Sequence, residues 1–292
     1  MALIVVLAAA WWVFQRSMYR APLELRSAAA APTPPAIDEA IVDAVSGSVQ
    51  RSTPRGSWAE LVAGEHLRAD DSLRTGKGAH TDLRIGDRAR LTVTESTQLT
   101  IREITQKVHR FQLARGRVAV DYKPDGERVL RIESDEGVAE SRAARFSMLS
   151  TGTAVAIATD AGAVTLRAQE RTVQVAAGQQ AVVRQGEPPS ASEPIPARVL
   201  LKVANAAAAG DSLCATVEGI APPGAEVTVD GAPAAVAADG RFNVPVPRAH
   251  GRSEVLVALR DAAGRQETRT VRCQDPPSRI HDFAIHWRSR PP

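Results

Sequence analysis

The 292-residue chain is poor in aromatic side chains, with five Phe, four Trp and two Tyr, and it holds only two Cys and six His. A core must therefore be built through Val, Ala, Leu and Thr, which suits many short strands packed by small and β-branched residues. No long field of one charge is present either: 36 Lys and Arg are interleaved with 33 Asp and Glu for a net charge of +3. That balance argues against nucleic acid as a partner. His66, His80, His109 and His250 stand apart, and the pair His281 and His286 has no third ligand close in sequence. No metal site is expected. The Gly-x-Ser-x-Gly and His-Glu-x-x-His motifs are missing, and Thr75-Gly76-Lys77-Gly78 lacks the spaced first Gly and the Ser or Thr of a phosphate loop. It reads as a β-turn, and neither catalysis nor a cofactor is expected.

What the chain does have is a period of two. Apolar residues alternate through Thr81-Asp-Leu83-Arg-Ile85 and through Arg90-Leu91-Thr-Val93, as in half-buried strands. Before them, Leu61, Leu67 and Leu73 are separated by Gly64, Asp70-Asp71 and Gly76, a pattern of short strands and tight turns. Asp70 and Asp71 are expected to cap turns by accepting backbone N–H groups. Further strands are predicted over 40–50, 98–104, 109–114, 117–122, 129–133, 145–149, 154–159, 163–168, 172–175 and 180–184. Turns are expected at Gly47, Gly76, Gly86, Gly116, Gly126, Gly152, 160–162 and Gly178. The expectation is an all-β chain.

The longest apolar run, Ala2 to Phe14, covers 13 residues, about 20 Å as a helix against a bilayer core of roughly 30 Å. Without a basic start or a small-residue cleavage site just after it, the run predicts an uncleaved inner-membrane anchor over 1–20, with the body in the periplasm. Arg16 and Arg20 follow the run, against the positive-inside rule, so upstream residues are expected to complete the helix and supply its cationic flank. An Ala/Pro linker follows over 21–38, then a β-domain over 39–185, a proline-rich linker over 186–198 and a second β-domain over 199–275. The tail, 276–292, alternates Phe283, Ile285 and Trp287 and is expected to add as an edge strand to its own domain, with addition to a partner as the alternative. Cys214 and Cys273 frame the second β-domain and predict one disulfide in an oxidising compartment, worth about 4 kcal/mol on a chain-entropy estimate, with two separate buried thiols as the alternative.

Trp58, Gly64, Leu67, Asp71 and the block Leu73-Arg74-Thr75-Gly76 form a pattern that resembles the FecR-type periplasmic domain, over about 41–183. The second β-domain resembles small bacterial immunoglobulin-like modules through Pro223-Gly224-Ala225-Glu226-Val227-Thr228-Val229-Asp230-Gly231 and Asp239-Gly240-Arg241-Phe242. In that reading Gly231 takes the positive φ of a hairpin and Phe242 fills the core between two sheets. The FecR resemblance implies a membrane-tethered periplasmic protein that contacts envelope proteins in signalling or assembly. Such regulators act on a sigma factor through a cytoplasmic N-terminal segment; here the membrane run begins at residue 2, so that role is not carried over. The alternative is a peptidoglycan or glycan binder that stacks sugar on Trp58, although a core position is the stronger expectation for that ring.

Overall fold

The computed structural model describes residues 39–124, 126–197, 201–205, 216–237, 239–246 and 254–272. The expected anchor, the Ala/Pro linker, both cysteines and the tail lie outside these residues. Among the described residues there are strands and turns, and no helix long and apolar enough to cross a membrane.

The first part contains β1 (Ala40–Ser46), β2 (Val49–Ser52), β3 (Ala59–Glu60), β4 (His66–Leu67), β5 (Ser72–Thr75) and β6 (His80–Ile85). It continues with β7 (Ala89–Val93), β8 (Gln98–Ile104), β9 (Val108–Tyr122), β10 (Val129–Glu133) and β11 (Val138–Ser141). It ends with β12 (Ala144–Ser150), β13 (Ala154–Ala168), β14 (Arg171–Ala176), β15 (Gln179–Arg184) and β16 (Glu193–Pro194). The pairings fall into two runs. One is ordered β16-β15-β13-β12-β9-β7-β6-β1-β4. The other is ordered β14-β13-β11-β10-β9-β8-β5-β2-β3.

Strands β9 and β13 belong to both runs, and this corrects two expected turns. Gly116 (φ 88°) and Gly162 (φ 76°) do not end a strand. They bend a 15-residue strand so that its first half pairs in one sheet and its second half in the other. A positive φ changes the strand's direction without breaking the hydrogen-bond ladder for long, and glycine adopts it without a Cβ penalty. At Gly116 a Cβ would sit 2.3 Å from Thr97 Oγ1, and at Gly162 it would sit 2.4 Å from the Ala143 carbonyl. Strand β11, which the sequence pattern missed, is a four-residue segment of low β propensity, Val-Ala-Glu-Ser, held between β10 and β13.

One hydrophobic cluster fills the space between the two runs, with Leu83, Leu91, Val118 and Phe146 from one and Leu73, Leu99, Phe111 and Leu130 from the other. His109 is fully buried there, its ring edge-on to Tyr122 at 6.1 Å.

The C-terminal part has β17 (Lys202–Asn205), β18 (Thr216–Ile220), β19 (Glu226–Val229), β20 (Ala232–Ala234), β21 (Arg241–Pro245), β22 (Glu254–Arg260) and β23 (Gln266–Arg272). They form a sheet β17-β18-β21 and a sheet β20-β19-β22-β23 that share a second core. Asp230 and Gly231, both at positive φ (50° and 82°), link β19 to β20 as a two-residue hairpin. Phe242 is buried in that core, and Gly219 leaves room for its ring: a Cβ there would lie 2.3 Å from Phe242 Cζ. This part and the sixteen-strand part make one compact unit.

Candidate functional site

The block 58–76 is where the sequence concentrates its signature, and the structure uses nearly every residue of it to set one turn against the next. Leu67 pairs with Ala40 at the edge of β1, and Leu73 pairs with Leu99; both are fully buried. Gly64 (φ 87°) closes the loop before β4, its N–H donating to the Val42 carbonyl at 2.7 Å.

Asp71 is 3% exposed. Its carboxylate accepts the Arg68 N–H at 2.9 Å and faces Arg51 Nε at 3.4 Å, while its carbonyl accepts Ile101 N–H at 2.9 Å. The turn-capping role expected from the residue type is the one observed. Asp70 sits at φ 68° in the same turn, 3.7 Å from Arg102. Among the described residues no group of three His, Cys, Asp or Glu side chains is placed to hold a metal ion.

Thr75 is buried and works in both directions. Its hydroxyl donates to the Thr94 carbonyl at 2.6 Å and accepts the Thr97 N–H at 2.9 Å. Gly76 donates to the Ser48 carbonyl at 2.8 Å and accepts Ser96 N–H at 3.2 Å. The following residues form a β-turn closed by Ala79 N–H to Gly76 carbonyl at 3.2 Å, as Thr75-Gly76-Lys77-Gly78 suggested. Gly78 N–H in turn binds the Glu95 carboxylate at 2.6 Å. The Leu-Arg-Thr-Gly block therefore anchors the loop Thr94–Thr97, a neighbour distant in sequence that no local pattern could reveal.

Trp58 departs from expectation. It is half-buried, outside the core, and the Arg74 guanidinium lies over its ring at 4.3 Å while Arg74 Nε donates to Gln50 Oε1 at 2.7 Å. One face of the indole is thus occupied by a cation. The neighbouring Glu39 carboxylate accepts from His66 at 2.6 Å and from Arg68 at 3.1 Å. Those two contacts, His66 first, hold its pKa below the ordinary glutamate value.

Comparison with known proteins gives the first part a family match: the FecR protein family model aligns with residues 71–165, about a third of the chain. The matched stretch begins at Asp71 and runs into the second half of β13. No curated protein matches. Two crystal structures of a candidate anti-sigma factor from Parabacteroides distasonis ATCC 8503 are similar at 12% and 13% identity, each with a TM-score of 0.39. Each alignment covers 43% of this chain and 60% of that one, so the chain spans less than two thirds of those proteins. A polysaccharide lyase aligns at 11% identity and a TM-score of 0.19, over 80% of this chain and 39% of the lyase.

Proposed function

We propose that this is a FecR-domain protein that works by protein contact in cell-envelope signalling or assembly, and not by catalysis. The observation that carries the reading is the FecR match over 71–165. The signature residues Asp71, Leu73, Thr75 and Gly76 are engaged in turn-capping, core packing and loop anchoring, the structural part a β-domain signature plays. In this reading residues 1–20 anchor the chain in the inner membrane, 39–185 and 199–275 are two periplasmic modules, and the second is immunoglobulin-like. Its seven strands in two sheets and its Asp-Gly hairpin support the last point. Cys214 and Cys273 close a disulfide across it. In the peptidoglycan alternative a sugar would stack on the other face of Trp58, since Arg74 covers one.

In-cell photo-cross-linking from exposed positions of the sixteen-strand part tests the reading. A discrete protein adduct is expected. Retention on purified sacculus that is lost in Trp58→Ala, with no protein adduct, would overturn it in favour of glycan binding. A reporter fused after residue 292 tests the location: activity of an alkaline phosphatase fusion is expected, and a phosphatase that stays inactive would refute the periplasmic placement.

A further inference from the structure

Strands of the sixteen-strand part differ in how many of their faces are covered. In β6 burial alternates strictly, one residue in and the next out. In β12, in the first half of β13 and in the middle of β15, consecutive residues are buried. The sequence carries the same contrast: Val155-Ala-Ile-Ala158 and Ala181-Val-Val183 have no polar residue on either face. A strand buried on both sides reads as a continuous apolar run.

One side of these strands faces the main core. The other, carrying Leu149, Ala156, Ala158 and Val182, packs in a separate cluster with Ala262 and Ala263 of the β22–β23 hairpin and with Ile195. The approach is close because the residues are small: a Cβ on Gly224 would lie 2.8 Å from the Ala156 Cβ. Two arginines cross the contact in opposite directions. Arg117 Nε donates to the Ala262 carbonyl at 2.9 Å, and the same carbonyl accepts the buried Ser147 hydroxyl at 2.8 Å. Arg260, from the C-terminal part, binds Glu226 at 2.5 Å and reaches the Glu95 carbonyl at 3.3 Å and Thr94 Oγ1 at 3.4 Å. Its landing place is the loop that Thr75 and Gly76 anchor.

We propose that this face of β12, β13 and β15 is a docking surface whose occupant is the chain's own C-terminal sheet pair, seated through the tip of the β22–β23 hairpin and detachable with both cores intact. Each part keeps its own core, and Leu149, Ala156, Ala158, Val182 and Ala262 pack with one another apart from both. The surface fits a hairpin tip with small side chains, whose Ala262 carbonyl Arg117 and Ser147 jointly bind. The inference concerns a contact within the chain and stands whether or not the signalling role does.

Hydrogen–deuterium exchange on the full chain tests it, in Ala158→Glu, which places a charge in the apolar contact, and in Arg117→Ala/Arg260→Ala, which removes both cross-contacts. Exchange at 94–97 and 262–264 is expected to quicken about tenfold, as loss of ~1.4 kcal/mol of closing free energy gives, while amides of β9 and β19 stay protected. Unchanged exchange at both tips in both variants would overturn the proposal. So would equal loss of protection at β9 and β19, because the contact would then be part of a common core.

Discussion

The Thr75 hydroxyl donates to the Thr94 carbonyl at 2.6 Å across 19 residues of sequence, and the same oxygen accepts the Thr97 N–H. One buried side chain thereby satisfies two backbone groups of a loop that contains Ser96 at φ 53°. Replacing Thr75 by Val keeps the shape and leaves that donor and acceptor unpaired. The expected loss is about 1–3 kcal/mol in urea unfolding, with Thr75→Ser retaining most of the stability.

Gly116→Ala is expected to cost more than a surface substitution, at least about 1–3 kcal/mol. The new Cβ meets Thr97 at 2.3 Å while φ is 88°. Thermal melts of this variant and of Arg115→Ala, on the neighbouring exposed position, separate backbone strain from the loss of an exposed side chain.

Trp58→Ala is expected to lower stability by only about 0.5–1 kcal/mol, the scale of an exposed cation–π contact. A core indole would cost about 3–5 kcal/mol. A denaturant titration distinguishes the two, and Arg74→Ala should give a loss similar to that of Trp58→Ala.

Phe242→Ala empties the space between the C-terminal sheets and is expected to destabilise that part by about 3–5 kcal/mol. Exchange protection at β19 and β22 should fall first, since the core of the sixteen-strand part does not include Phe242.

Glu39 gives a pH dependence with a defined sign. His66 and Arg68 hold its folded-state pKa below the unfolded value, so its contribution is complete above the ordinary carboxylate range and is lost as the pH falls through the lowered value. The melting temperatures of the wild-type chain and Glu39→Gln should differ at neutral pH. They should converge as the solution is acidified below the ordinary glutamate value of 4.5.

Much of the strand pattern was legible because alternation in 80–85, 89–93 and 129–133 reports one-sided burial directly. Two errors came from glycine. Gly116 and Gly162 resemble turn residues in a local reading, since a positive φ serves a turn and a strand bend equally. Only the neighbours decide: β9 keeps β8 and β10 on one side of its bend and β7 and β12 on the other. Trp58 was misplaced for a related reason, because indole burial depends on which strands surround it, and here Arg74 of β5 reaches it first.

By itself the sequence determined that the described chain is all strand and turn, and which side of most strands faces inward, because side-chain direction alternates with every residue of extended backbone. It also marked Asp70 and Asp71 as turn residues by their short hydrogen-bonding side chains. Tertiary structure alone decided that two strands serve both sheets, that the signature turn braces Thr94–Thr97, and that a second face of β13 is covered by the C-terminal hairpin. Those contacts join residues such as Arg117 and Ala262, 145 positions apart, and period and propensity carry no information over such separations.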